Sequence, residues 1–360
     1  MEAWFIREWQ RNSLWQVLLR PVSWVYVSMV GLRRWLYRAG IFKSEPIGVP
    51  VIIVGNISVG GTGKTPVVLA LAQYLTRNGW RCGIISRGYS RPAAPDTMHR
   101  PRANVIRVVA EPAGSVVMSD EAILLANRSG APVYISADRY CAARTLLDDH
   151  PEVDVLICDD GLQHYALQRD LEICVIDGVR GFGNGALLPA GPLREPITRL
   201  GSVDAIVING STVPGHRDPD LELNLNLNLK NDAPTYSMIL GNESLVRVRD
   251  GEQISIAQGL GEFVSKSILA IAGTGNPSRF FQHLSTLGFK AARTQAFPDH
   301  HPFVASDFAN KDAQIILMTE KDAVKCKAFA DDRMWFMRVD AILPDAFGEF
   351  VIKRLSALKK

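Results

Sequence analysis

The sequence predicts an α/β protein: a mostly parallel sheet domain, a smaller α/β second domain joined to it by a β-ribbon, and a helix ahead of both. Three observations carry this. Short β-branched apolar runs alternate with longer amphipathic stretches over residues 50–210, as buried parallel strands alternate with crossover helices. A second strand, Gly-rich turn and helix begins near Ser267. Residues 1–43 hold five of the seven tryptophans and seven Arg or Lys against two Glu. That bias suits the headgroup region of an anionic membrane, so the first helix is expected to be membrane-associated.

Composition narrows the class. A chain of 360 residues has room for two α/β units, and 47% hydrophobic with 21% charged residues is globular rather than disordered. A mean hydropathy of +0.04 is too low for many membrane spans but leaves room for one membrane-seeking segment. Forty Lys and Arg against 37 Asp and Glu is not the basic excess of a nucleic-acid binder. The five cysteines are odd in number and lack CxxC pairs, which predicts reduced thiols without disulfides or zinc.

The N-terminus lacks the form of a secretory signal, because Glu2 and Glu8 come early and Arg20-Pro21 splits the apolar run. The uninterrupted run, Pro21 to Leu32, would span about 18 Å as a helix against a hydrocarbon core of about 30 Å. Extension back to Ser13 puts Arg20 near the middle, at a cost of roughly 2.5–3.5 kcal/mol. The expectation is an interfacial or partly inserted helix within residues 1–43. A single span, or an amphipathic helix packed on the protein's own core, are the alternatives.

The sheet domain is expected over residues 44–210. VPVIIVGN (50–57) is a buried strand, KTPVVLALAQYLTRNG (64–79) a helix with Pro66 in its first turn and Asn78-Gly79 at its stop, and RCGIIS (81–86) the next strand. RPAAPDTMHRPRA (91–103) is a Pro-rich loop. Further strands are expected at 104–109, 132–136, 153–159, 171–176 and 203–208. Residues 211–266 form the connector, in which LELNLNLNLK (221–230) alternates as an exposed ribbon strand would. The second domain, 267–360, opens with SILAIAGTGNPSRFFQHLSTLGF and continues with strands in QIILMTEKDAVK (314–325) and MWFMRV (334–339).

SVGGTGKT (58–65) lies between one strand and one helix, the context of a P-loop and hence of a P-loop NTPase-like domain. Its backbone, from Ser58 and Val59 through Gly60, Gly61, Thr62 and Gly63 to Lys64 and Thr65, would cradle phosphate oxygens. Lys64 would reach the β/γ-phosphates and the Thr65 hydroxyl would bind Mg²⁺. Ser58 stands where the usual pattern has its first glycine. Asp159-Asp160 close an apolar strand as a Walker B pair does, able to hold Mg²⁺ directly or through water. Asp120-Glu121 open SDEAILLA (119–126), either as helix N-terminal charges or as a base and a metal carboxylate. Arg87 in SRGY (86–89) and Arg194 in GPLREP (191–196) are surface arginines or forks for a phosphorylated, anionic substrate. FPDHHPF (297–303) sets two adjacent histidines after Asp299. That is poor metal geometry, and an acid/base or base-orienting role is the better functional reading.

GNISVGGTGKTP (55–66), SRGY, SDEAILLA, CDDGLQH (158–164), GPLRE, AGTGNPSRFF (272–281), FPDHH and TEKDA (319–323) occur in the order seen in the tetraacyldisaccharide 4′-kinase family, which the chain resembles over nearly its whole length. The resemblance implies a kinase of lipid A biosynthesis in Gram-negative bacteria that uses ATP and Mg²⁺. It would phosphorylate the 4′-hydroxyl of tetraacyldisaccharide 1-phosphate to give lipid IVA, at the cytoplasmic face of the inner membrane. It implies an acylated disaccharide 1-phosphate as substrate, no nucleic acid and no obligate protein partner. Lys64 and Thr65 then resemble the phosphate and Mg²⁺ ligands, Asp120 the base, Glu121 a metal-assisting carboxylate and Asp159-Asp160 the Walker B pair. His300 resembles the group that orients Asp120, with His301 competing for that role. Arg87, Gln163, His164 and Arg194 become the substrate-contacting candidates. One departure is Ser119, where the family usually has Gly.

Two other classes compete. A P-loop GTPase switch needs NKxD, and TEKDA places Lys321 directly before Asp322 without the intervening residue. A non-catalytic membrane-bound nucleotide-binding protein would not need Lys64, Thr65, Asp120 and the Asp159-Asp160 pair together.

Overall fold

The computed structural model describes residues 8–9, 14–87, 105–108, 119–210, 233–291, 293–308 and 312–358. The Pro-rich loop at 91–103 and the alternating run at 221–230 lie outside the described residues. The chain divides into two compact units, Met1–Leu240 with Ala341–Lys360, and Gly241–Asp340. The sequence placed its boundaries at 210 and 267 and gave the C-terminus to the second domain. The structure returns the C-terminal helix to the first unit.

The first unit contains α1 (Leu14–Arg38), β1 (Val51–Gly55), α2 (Lys64–Arg77), β2 (Cys82–Ser86), β3 (Ile106–Val108), α3 (Asp120–Ser129), β4 (Val133–Ile135), α4 (Arg139–Asp149), β5 (Val155–Asp159), β6 (Leu171–Asp177), β7 (Ala205–Asn209), the first half of β8 (Thr235–Arg247) and α8 (Asp345–Leu358). Its strands lie in the order β8-β7-β6-β1-β5-β2-β4-β3. Every pairing is parallel except β3 with β4. A parallel sheet needs cover on both faces, and successive residues of β1 supply it. Ile52 and Val54 join one core with Val67, Leu71 and Leu75 of α2, while Val51 and Ile53 join the other with Ala142, Ala143 and Leu146 of α4. Full burial of each such Val, Leu or Ile side chain contributes about 1.5–3 kcal/mol. Because β1 lies between β5 and β6, the turn after it opens at the switch point of the sheet, where ligands of α/β folds bind.

The second unit holds the rest of β8, β9 (Gln253–Ser255), α5 (Ile256–Phe263), β10 (Ile268–Ala272), α6 (Pro277–Thr286), β11 (Arg293–Ala296), β12 (Ile315–Thr319), α7 (Glu320–Cys326) and most of β13 (Met334–Ile342). Strands β11-β10-β12-β13 pair in parallel, and β9 runs antiparallel to β8. The segment expected as strand over 314–325 is a strand only to Thr319. Its hydroxyl accepts the Asp322 N–H at 3.2 Å and so caps α7.

Helix α1 is oriented opposite to a core-packed helix. Two of its polar residues, Gln16 and Ser23, are buried against the protein, and Ser23 Oγ donates to Leu187 O at 3.0 Å and accepts from Ala190 N at 3.0 Å. Its large apolar residues face outward, with Leu18 and Trp24 both 67% exposed. No helix among the described residues is long and apolar enough to cross a membrane, so the single-span alternative finds no support.

Helix α8 joins the first core through Phe347, Val351 and Leu355. Phe347 meets Tyr236 edge-on, with ring centroids 5.2 Å apart. Gly348 lets the helix come down on the Tyr74 ring, which leaves no room for a Cβ there. Gly348→Ala should therefore destabilise the protein by about 1–3 kcal/mol, despite a gain in helix propensity near 1 kcal/mol. Chemical denaturation checks this, and shortening the clashing ring with Tyr74→Leu should recover part of the loss.

Candidate active site

Each central strand of the first unit ends in a polar residue. β1 is followed by Asn56, β5 ends in Asp159, β6 in Asp177 and β7 in Asn209, and all four are at most 4% exposed. The site is built on these ends.

The phosphate loop leaves β1 and enters α2. Gly60 (φ 97°) and Gly63 (φ 95°) adopt left-handed backbone, which a side chain resists. Ser58 instead forms an antiparallel bridge to Leu193, and Val59 N–H donates to Pro192 O at 2.8 Å. Extended pairing suits serine, so the missing first glycine changes nothing in the loop. Gly63 caps α2 without a side-chain hydrogen bond, and the first helical turn carries no acid. Its N-terminal dipole is left available for an anion. Thr65 lies half-buried in that turn.

Lys64 Nζ donates to Asn56 Oδ1 at 3.2 Å and lies 3.5 Å from Asp160 Oδ1. Arg194 Nη1 reaches Asp160 Oδ2 at 3.1 Å. Burial would raise the Asp160 carboxyl, but Lys64 and Arg194 outweigh it and hold the group below the usual carboxylate range. Asp159 goes the other way. Burial pushes it up to about 7 against the pull of Lys64, and the charges of Asp160 and Glu121 add to the rise. Its Oδ2 accepts from Ser86 Oγ at 3.4 Å, while Oδ1 is buried without a hydrogen-bond partner.

Helix α3 brings the acidic pair. Ser119 caps it in extended backbone (φ −73°), its Oγ accepting the Ala122 N–H at 3.3 Å. The departure from the family's glycine therefore costs no backbone freedom. Asp120 is 9% exposed at the first helical position, and Glu121 lies near enough to Asp159 to act on its charge.

The 184–195 segment holds Arg194 in place. Arg194 N–H donates to Ile57 O at 2.7 Å, and its carbonyl accepts from Tyr26 of α1 at 3.1 Å and Gln163 at 3.5 Å. Beneath it, buried Glu195 pairs with Arg199 at 3.1 Å, and Arg199 pairs with Glu172 at 2.6 Å. His164 sits among cations. Burial, then Arg139, Arg33 and Arg87, push its pKa down to about 4, so it is neutral at pH 7. Arg87 itself is exposed just after β2.

His300 belongs to the second unit. It has left-handed backbone (φ 58°), is largely exposed, and its Nε2 lies 3.4 Å from Lys321 Nζ. His301 is committed locally: Nε2 lies 3.1 Å from Asp307 Oδ2, and its ring is flanked by Phe297 and Phe303 with centroids 4.6 and 4.8 Å away. The sequence reading missed Asn56, Asp177, Arg180, Asn209 and Lys321. For Asn56, Asp177 and Asn209 the available signal was the polar residue closing each apolar strand run, whereas Arg180 and Lys321 lie beyond the strand ends.

For Mg²⁺, the orphaned Asp159 Oδ1 is a fitting donor. No three His, Cys, Asp or Glu side chains among the described residues converge as a resident metal would need. Mg²⁺ that arrives with nucleotide takes much of its coordination from phosphate and water, so one or two protein oxygens suffice.

A family model described as tetraacyldisaccharide-1-P 4′-kinase matches residues 15–356. The tetraacyldisaccharide 4′-kinase of Methylobacillus flagellatus is 45% identical over 355 residues, covering 99% of this chain and 96% of that one. That of Dechloromonas aromatica is 42% identical over 352 residues, covering 98% and 96%. Among solved structures, LpxK from Aquifex aeolicus, described as an apo form in complex with ATP, matches with a TM-score of 0.75 at 28% identity. It covers 95% of this chain and 100% of that one.

The cationic surroundings of His164 set a pH dependence. Its folded pKa of about 4 lies below the ordinary 6.5, so between these values the unfolded chain takes up a proton that the folded one refuses. The His164 contribution to stability should fall as pH drops through that window, while that of Asp159, raised to about 7, runs the other way. Thermal melts from pH 7 to 4.5 should show a smaller loss in His164→Gln than in the unaltered protein, and equal losses would exclude this assignment.

Proposed function

The chain belongs to the tetraacyldisaccharide-1-P 4′-kinase family, and from that premise we propose that it transfers the γ-phosphoryl group of ATP to the 4′-hydroxyl of tetraacyldisaccharide 1-phosphate, giving lipid IVA. The observation that carries this is the phosphate loop on the central strand, with Lys64 set beside the acidic end of β5. A bond forms between the 4′-oxygen and phosphorus, the bond to ADP breaks, and the hydroxyl proton must go to a base. Lys64 stabilises charge on the transferring phosphoryl group. Asp120, at the head of α3, takes the proton. Of the adjacent histidines, His300 is proposed for the acid/base role, supported by the commitment of His301 to Asp307. Thr65 and Asp159, assisted by Glu121 and Asp160, would hold Mg²⁺, which neutralises phosphate charge. Arg87 and Arg194 suit the substrate's phosphate, and Gln163 and neutral His164 suit its hydroxyls. The GTPase and non-catalytic alternatives are not favoured by the family match.

The outward apolar face of α1 supports attachment to the cytoplasmic face of the inner membrane as an interfacial helix. Three tryptophans, Trp15, Trp24 and Trp35, each more than half exposed, anchor it at headgroup depth.

The test of function is ATP turnover with and without the acylated disaccharide. Transfer should require the lipid, and folded Lys64→Ala and Asp120→Ala should each lower kcat by about 10² or more. Near-normal turnover in either variant would remove its residue from the reaction.

For the membrane, replacing Trp15, Trp24 and Trp35 together with serine should reduce co-sedimentation with anionic vesicles while leaving ATP binding intact. Unchanged co-sedimentation would place the membrane surface elsewhere.

A further inference from the structure

The backbone of the phosphate loop is gripped from its outer side by two residues on neighbouring strand ends. Arg180 donates through its guanidinium to Gly61 O. Asn209 Nδ2 donates to Thr62 O at 3.1 Å. Both are built in. Asp177 closes β6, is 2% exposed, and accepts from Arg180 Nε at 2.9 Å and from the Val179 and Arg180 N–H groups at 3.0 Å. Asn209 closes β7, is 2% exposed, and stands opposite Asp177 in the strand register. Gly178 N–H joins the two ends by donating to Asn209 O at 2.8 Å.

The contact is close enough to dictate sequence. A Cβ on Gly63 would come within 2.6 Å of Asn209 Nδ2, and one on Gly60 within 2.8 Å of Arg180 Nη1. In a planar trans peptide the carbonyl and the following N–H point in opposite directions. Holding Gly61 O outward therefore turns the Thr62 N–H the other way, and holding Thr62 O does the same for the Gly63 N–H. We propose that Arg180 and Asn209 are positioning residues that fix these two peptides and so aim the Thr62 and Gly63 N–H groups at the nucleotide phosphates. The loop then meets phosphate already oriented, and the cost of ordering it is met during folding rather than on binding. This rests on the reading that the loop holds the phosphates of ATP.

The experiment measures KM for ATP and for acylated disaccharide, with thermal midpoints, on full-length Asn209→Asp, Arg180→Gln and Arg180→Lys. Asn209→Asp keeps the shape but turns a donor into a charged acceptor facing Thr62 O. Arg180→Lys keeps a donor that can reach Gly61 O. Asn209→Asp and Arg180→Gln should raise the ATP KM by about tenfold or more, with the disaccharide KM changed by less than about twofold and the midpoint held. Arg180→Lys should recover part of the ATP KM. A wild-type ATP KM in folded Arg180→Gln and Asn209→Asp overturns the proposal, as does an equal rise in both KM values. If Asn209→Asp does not fold, the two Arg180 variants carry the test. Full activity in Lys64→Ala would instead overturn the underlying reading of the loop.

Discussion

The first unit turns on one ammonium group. The ammonium of Lys64 ends a flexible four-carbon stem that does not hold itself. Asn56 and Asp160 fix it, the first from the strand that precedes the loop and the second from the strand beside it. Their convergence follows from β1 lying against β5, which follows from two apolar faces that can be buried only in a two-sided sheet. Asp160 tolerates its half-buried position because Lys64 and Arg194 both neighbour it. Removing either cation would leave a carboxylate short of a partner, so the same pairs that position the lysine also hold the strand end together.

Arg194 links this centre to α1. The segment around it has little regular secondary structure, yet it is held on both sides. Val59 and Ile57 bind its backbone from the phosphate loop, and Ser23 and Tyr26 bind it from α1. The helix can dock by hydroxyls and leave its apolar face outward because this segment offers carbonyls rather than a greasy groove. An apolar stripe on α1 that packed inward would have buried Leu18 and Trp24, both of which the structure leaves 67% exposed. The beginning of the chain and its nucleotide loop therefore share one structural element.

Much of this was legible in the sequence. Every expected strand of the first unit occurs, with residues 104 and 109 outside the described residues, because short β-branched runs bounded by Gly, Asn and Asp leave few alternatives. The turn between β1 and α2 was legible because left-handed backbone at Gly60 and Gly63 needs glycines at fixed positions. Three kinds of feature were not. Helix α8 returns to the first unit because of long-range contacts with Tyr74 and Tyr236, which no local periodicity encodes. Arg180 lies three residues past the end of β6 and acts on a backbone carbonyl, and a side chain bound to a carbonyl leaves no motif of spacing. The strand expected to run to Lys325 stops at Thr319 because a threonine hydroxyl captures an N–H three residues on, a local competition that apolar content alone hides.

The adjacent aspartates at the end of β5 show why sequence cannot divide roles that geometry divides. Both are carboxylates on one strand end, and CDD reads symmetrically. Asp159 still has strand backbone and lies buried at the end of β5, between β1 and β2, where burial raises its pKa to about 7 and one oxygen finds no donor. Asp160 has left the strand in left-handed backbone (φ 52°), and that turn swings its carboxylate toward Lys64 and Arg194. One change of φ thus separates a carboxylate suited to a cation from one already paired with two. Neighbouring acids driven apart in acidity are how a fold assigns different tasks to the same functional group. Here the separation is made by the backbone, before any ligand takes part.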